Sequence, residues 1–215
     1  MGDESFIGAI RINDQYSAFT SYKTLLNGNE KIVFFNCNSK KIIEEIEDDY
    51  EFIKSPNNMT LIKREEVKEK TKILLCACKK SKKNGILLIK MKIEDDFEIS
   101  EKKFYETDKF EVHCFCPILE IFSEKILDQE NKIIDTNFFL VGGYEEDKKI
   151  GKIKKYLINQ NEEIELNEDI SIENNDDKNI GDVNLSTINC ITQSKKNGNI
   201  LLTSSDGNVY QFIYL

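Results

Sequence analysis

Tryptophan is absent from these 215 residues, and arginine (Arg11, Arg64), proline (Pro56, Pro117) and histidine (His113) nearly so. Each shortage excludes something. With two prolines and ten glycines no stretch composes a Pro-rich or Gly/Ser-rich linker, and a single domain over 1–215 is expected. Thirty basic side chains against 39 acidic ones leave a net charge of −9, the wrong field for nucleic acid or an anionic membrane. The apolar runs are a handful of residues, as in Ile73–Cys78, where a membrane helix needs about 20. The acidic start Met1–Phe6 has neither the h-region of a signal peptide nor, at Phe6, the Ser or Thr of a myristoylation site. The six cysteines are therefore expected as reduced thiols in the cytoplasm or the nucleus. On that expectation the sequons Asn58-Met59-Thr60 and Asn184-Leu185-Ser186 are accidental.

What is present is apolar surface: 40% of the residues are hydrophobic and 10% aromatic, more than a disordered chain carries. Its period is two through most of the chain. Gly151–Ile158 and Gly207–Leu215 are β-branched and aromatic after turn residues, the signature of strands. Asp206-Gly207 between Ile200–Thr203 and Val209–Phe212 predicts a hairpin with a tight primed turn. Lys40–Tyr50 and Ile121–Leu127 are the competing short helices. The balance is all-β.

One pattern recurs: an apolar run, small residues, a turn, then a β run bearing an aromatic. Copies begin at Leu25, Ile73, Phe138 and Ile200. The last, Thr187–Phe212, resembles a WD-repeat blade, with Phe212 where that family carries Trp and Phe35 and Tyr156 equivalent in earlier copies. The Gly-His and Trp-Asp dipeptides of the family, and the hydrogen-bond network they build, are missing. The resemblance implies a WD-repeat-like β-propeller of about four blades, near 6–47, 50–104, 111–172 and 187–215. Such a ring is partial, or closed by a partner chain or by the N-terminal strand. Ser-Lys-Lys-Asn-Gly occurs at both Ser81 and Ser194, so Ile86–Leu88 fits either a second or a third strand.

Chemistry has few footholds. Cys76-Ala77-Cys78 and Cys114-Phe115-Cys116 are two C-x-C pairs; on neighbouring strands the four thiolates suit zinc, and buried packing is the competing reading. His113 next to Cys114 points to the opposite strand face, which leaves pairing with Cys76, Cys78 or Cys190 for a Cys/His enzyme. Val141-Gly142-Gly143 lacks the spacing of a phosphate loop and reads as a bulge or a close approach. Two arginines cannot make the paired-arginine motif of phosphoinositide-binding propellers.

The expected function is a non-catalytic protein–protein interaction scaffold in a larger complex, without cofactor; the zinc or Cys/His reading is the alternative. By the resemblance, partners meet the loops between second and third strands: Gly28–Glu30, Lys79–Asn84, Tyr144–Ile150 and Ser205–Gly207. The residues singled out there are Tyr144, Glu145, Glu146, Lys80, Lys82 and Asp206, with Tyr144 as the aromatic anchor.

Overall fold

The computed structural model describes residues 5–22, 30–62, 71–94, 96–122, 132–170, 186–195 and 197–212, and every regular element among them is a β-strand. Four antiparallel sheets follow one another along the chain and stand in a ring, the arrangement of a four-bladed β-propeller. Blade 1 runs β1 (Ser5–Arg11), β2 (Tyr16–Tyr22), β3 (Ile32–Asn36), β4 (Lys41–Ile46). In blade 2 the first strand is split into β5 (Tyr50–Phe52) and β6 (Met59–Ile62), both paired with β7 (Thr71–Lys80), followed by β8 (Lys83–Ile93) and β9 (Phe97–Glu106). Blade 3 comprises β10 (Phe110–Phe122), β11 (Lys132–Glu145), β12 (Ile150–Ile158) and β13 (Ile164–Ile170). Blade 4 has three strands, β14 (Ile188–Gln193), β15 (Ile200–Ser204) and β16 (Val209–Phe212).

β7 and β8 of blade 2 read as unbroken apolar runs because both of their faces are buried. Along β7, Leu74, Cys76 and Cys78 enter the core shared with Ile32, Phe34 and Ile46 of blade 1. The alternate residues Ile73, Leu75 and Ala77 enter the core shared with Phe139, Val141 and Tyr156 of blade 3. A third core joins Cys114, Cys116, Leu140 and Ile153 of blade 3 to Ile188, Ile191, Ile200 and Leu202 of blade 4. Blades 1 and 4 share no such core among the described residues, and Phe6, Ile42, Leu201 and Val209 of these blades are exposed.

Three expectations change. Lys40–Tyr50 is not a helix: β4 occupies Lys41–Ile46, and a bulge opposite Phe34 and Phe35 lets both Ile43 and Ile46 reach the first core. A strand with one bulge thus imitates helical spacing. The tight primed turn is found elsewhere, at Ser81 and Lys82 (φ 50° and 66°) between paired Lys80 and Lys83. Asp206-Gly207 forms the wider turn: Gly207 N–H donates to Ser204 O at 3.1 Å and Ser204 N–H to Asn208 O at 3.2 Å, with Gly207 alone at positive φ (84°). Lastly, β1 pairs with β2 inside blade 1, so it does not close blade 4.

Ile86–Leu88 lies in β8, a third strand. The two Ser-Lys-Lys-Asn-Gly segments therefore serve different loops, one between second and third strands and one between β14 and β15. The Ile121–Leu127 expectation falls on the end of β10 for 121–122; 123–127 lie outside the described residues.

Candidate interaction surface

In an up-and-down sheet the second-to-third hairpin and the connection to the next blade emerge at the same end, so one face of the ring gathers both kinds of loop. Side chains stitch these loops together. Ser81 Oγ donates to Asp49 at 3.0 Å, linking the β7–β8 hairpin to the connection before β5. On its other side Thr107 N–H donates to Asn84 O at 2.9 Å, and buried Asn84 donates through Nδ2 to Glu146 at 3.0 Å. Lys109 then pairs with Asp147 of the β11–β12 hairpin, and Ser205 N–H donates to Thr187 O at 2.9 Å in blade 4. The β7–β8 and β11–β12 hairpins and two connections are thus braced together, while in blade 4 the β15–β16 hairpin is tied to the connection before β14.

The six residues singled out from sequence all belong to hairpins at this end. Most are engaged internally. Glu145 pairs with Lys148 at 3.1 Å and Lys152 at 3.3 Å, and these partners hold its carboxyl below the usual range although burial works to raise it. Glu146 accepts from Asn84. Asp206 accepts from Ser204 Oγ and from Asn208 N–H, which lower its pKa and fix the turn. Lys80 Nζ lies 5.1 Å from the ring centroid of Tyr50, whose hydroxyl is pushed up to about 12 by burial and by Asp48. Lys82 and Tyr144 keep their side chains for contact: Lys82 is exposed at the hairpin tip and Tyr144 half-buried. Of the Gly28–Glu30 loop, residues 28–29 lie outside the described residues, and Glu30 accepts the Phe52 N–H.

Tyr144 borders a cleft of about 450 Å³ between the β11–β12 and β15–β16 hairpins, with Lys148, Lys149, Ser186, Thr187 and Ser205. Its lining carries four hydroxyls and two lysines, of which Lys148 is paired with Glu145. Lys149 stands at positive φ (55°) at the hairpin's end and has no ion pair among the described residues. The loops of this cleft were legible in the sequence, but Ser186 and Thr187 were not: no local signal ties them to a hairpin some 40 residues earlier, and only the ring brings them together.

The cysteine pairs do not meet. Cys76 and Cys78 are buried between blades 1 and 2, Cys114 and Cys116 between blades 3 and 4, and no group of three metal-ligating side chains gathers among the described residues. Burial pushes Cys76 well above the usual thiol range, and Cys78 and Cys116 up to about 12, the reverse of an activated nucleophile. His113 finds a carboxylate rather than a thiol: its Nε2 lies 2.8 Å from Glu111. The hydrogen bond from His113, joined by Lys79 and opposed by burial, brings Glu111 down to about 2.

His113 is the extra residue of a β-bulge opposite Gly143 and Gly142. A Cβ on Gly143 would stand 2.0 Å from Glu111 O, and one on Gly142 would stand 2.6 Å from Ile188 Cγ2. Val141-Gly142-Gly143 is thus a close approach beside a bulge. The sequon at Asn58 is fully buried.

No protein-family model, no curated protein and no solved structure matches the chain.

Proposed function

We propose that the protein is a non-catalytic interaction scaffold of the WD-repeat-like kind, part of a larger complex, whose hairpin face receives an acidic segment of a partner protein. The observation that carries this reading is the Tyr144–Lys149 cleft, where an aromatic edge, two lysines and hydroxyls from two blades converge on a rigid support. The braced loops favour it too: a surface held by its own hydrogen bonds loses little freedom on binding. Buried, protonated thiols and a histidine held by a carboxylate supply no nucleophile, which favours binding over catalysis.

Affinity purification of the whole chain from its native source, with mass spectrometry, tests the reading. The expected result is one protein recovered with the wild type and reduced roughly tenfold with Tyr144→Ala or Lys149→Glu, the loss of an interfacial anchor. Recovery unaffected by both variants, with unfolding temperatures unchanged, would overturn it.

A further inference from the structure

The pentapeptide Ser-Lys-Lys-Asn-Gly stands at Ser81–Gly85 and again at Ser194–Gly198, and the fold treats its Asn-Gly pair in opposite ways. An asparagine followed by glycine carries its own reaction. The glycine nitrogen can attack the carboxamide carbon of the preceding side chain, because glycine has no side chain to shield that nitrogen or restrict its backbone. Over these five residues the two sites are identical, so they form a matched pair that differs in surroundings. A third Asn-Gly pair, Asn27-Gly28, lies outside the described residues.

At the first site the pair belongs to β8. Asn84 is 4% exposed and is paired with Lys79 in the ladder, and Gly85 is paired with both Cys78 and Glu106. The carboxamide nitrogen of Asn84, which would have to leave, donates to Glu146 at 3.0 Å, and Asn84 O accepts the Thr107 N–H at 2.9 Å. A Cβ on Gly85 would stand 2.5 Å from Tyr105 O, so the backbone is packed against the neighbouring strand. Reaction at Asn84 therefore needs the ladder of blade 2 to part.

At the second site the pair lies in the loop between β14 and β15. Asn197 is exposed, and its Oδ1 accepts the Asn199 N–H at 3.2 Å. This turn folds the carboxamide across the Gly198 peptide. The same bond draws charge from the carboxamide carbon and is placed to hold the oxyanion that forms there. Gly198, at positive φ (73°), donates its N–H to Ser194 O at 2.9 Å, and its carbonyl accepts from Gln193 Nε2 at 3.2 Å. Freeing that nitrogen breaks loop bonds, and Asn197, Gly198 and Asn199 belong to none of the three apolar cores. The opening required is local.

We propose that Asn197 is a site of spontaneous deamidation, and that the fold directs this reaction to Asn197 and away from Asn84. The Gly198 nitrogen loses its proton and forms a bond to Asn197 Cγ. The carboxamide nitrogen leaves with that proton as ammonia, which closes a succinimide ring. Water then adds to one of the two imide carbonyls and breaks its C–N bond, giving aspartate or isoaspartate. Either product sets a new carboxylate near exposed Lys195. Isoaspartate also moves a methylene into the backbone of the loop that joins paired Gln193 and Ile200. This loop leaves β14 and β15 at the end opposite to the β15–β16 hairpin, so the modification and the hairpin-face reading stand or fall separately.

The whole wild-type chain is held in mildly alkaline buffer, sampled over days and digested, and the peptides bearing Asn84 and Asn197 are followed by mass spectrometry. Chromatography separates the isoaspartyl from the aspartyl product. In the folded chain, conversion at Asn197 is expected to run roughly tenfold faster than at Asn84, or more. In urea the two rates are expected to agree within about threefold, since the shared pentapeptide then decides them. Equal rates at the two sites in the folded chain would overturn the proposal. So would a tenfold preference for Asn197 that persisted in urea, because it would then come from Asn199 standing where the other site has Ile86, and owe nothing to the fold.

Discussion

Blades 2 and 4 are built on the same up-and-down order, but their strands live in different surroundings. In blade 2, β7 and β8 send successive residues into two cores, so that Leu74, Leu75, Leu87 and Leu88 are all buried. In blade 4, β15 buries Ile200 and Leu202 on one side and leaves Leu201 at 37% exposure on the other. The difference is position in the ring. A sheet between two neighbours gains hydrophobic stabilisation from both faces, and blade 4, whose described residues share a core with blade 3 alone, from a single face.

The same truncation in the two blades breaks or upholds that comparison. Leu88→Ala is expected to cost about 2–5 kcal/mol, a cavity between two packed sheets, while Leu201→Ala costs less than about 0.5 kcal/mol. Urea unfolding of both variants checks it, and similar losses would mean that the fourth seam is packed after all.

A smaller effect separates the inner seam from the outer one by polarity. Asn58, fully buried, donates to Ile53 O at 2.9 Å and to Thr20 Oγ1 at 3.1 Å, and Thr20 in turn accepts the Gly8 N–H at 3.0 Å. This network ties blade 1 to the excursion between β5 and β6. Asn58→Ala strands Thr20 and the Ile53 carbonyl and is expected to cost about 1–3 kcal/mol, measured in the same denaturant experiment. A neutral result would place the hold between blades 1 and 2 entirely in their apolar core.

The smallest effect is electrostatic and belongs to blade 3. Glu111 ionises lower in the folded chain than its ordinary value of 4.5, at about 2, so the unfolded chain binds the proton more readily and stability rises with pH across that interval. Its contribution is complete above about pH 4.5 and is lost as the pH falls toward 2. Between pH 6 and pH 3 the wild type should lose about 1–2 kcal/mol more than Glu111→Gln does; equal losses would show that the Lys79–Glu111–His113 cluster does not stabilise the fold.

The four-sheet propeller was legible because alternation and turn residues are local, and each β-hairpin announces itself within some 20 residues. The Lys40–Tyr50 error was legible only in three dimensions, since a bulge in β4 depends on its partner β3. The hairpin loops of the candidate site could be named from the resemblance. Their internal commitments could not: that Glu146 is taken by Asn84, or Glu145 by Lys148 and Lys152, follows from packing between sheets. The cysteine pairs show the same limit in reverse. Their spacing matched a metal site on adjacent strands, but the strands that carry them face different cores.

Blade 4 meets the rest of the ring through one apolar core, a bond from Cys114 Sγ to Ile188 O at 3.7 Å and one from Asn57 Nδ2 to Asn189 O at 3.4 Å, among other contacts. In mechanical terms the molecule is a short stack of sheets with nearest-neighbour coupling, and the last member is coupled on one side. Such a member can swing out or melt while the others stay assembled, as a sub-global opening of lower free energy than complete unfolding. Heat would then dismantle the protein in more than one step, and a single melting temperature would describe the two seams among blades 1, 2 and 3 less than it describes blade 4.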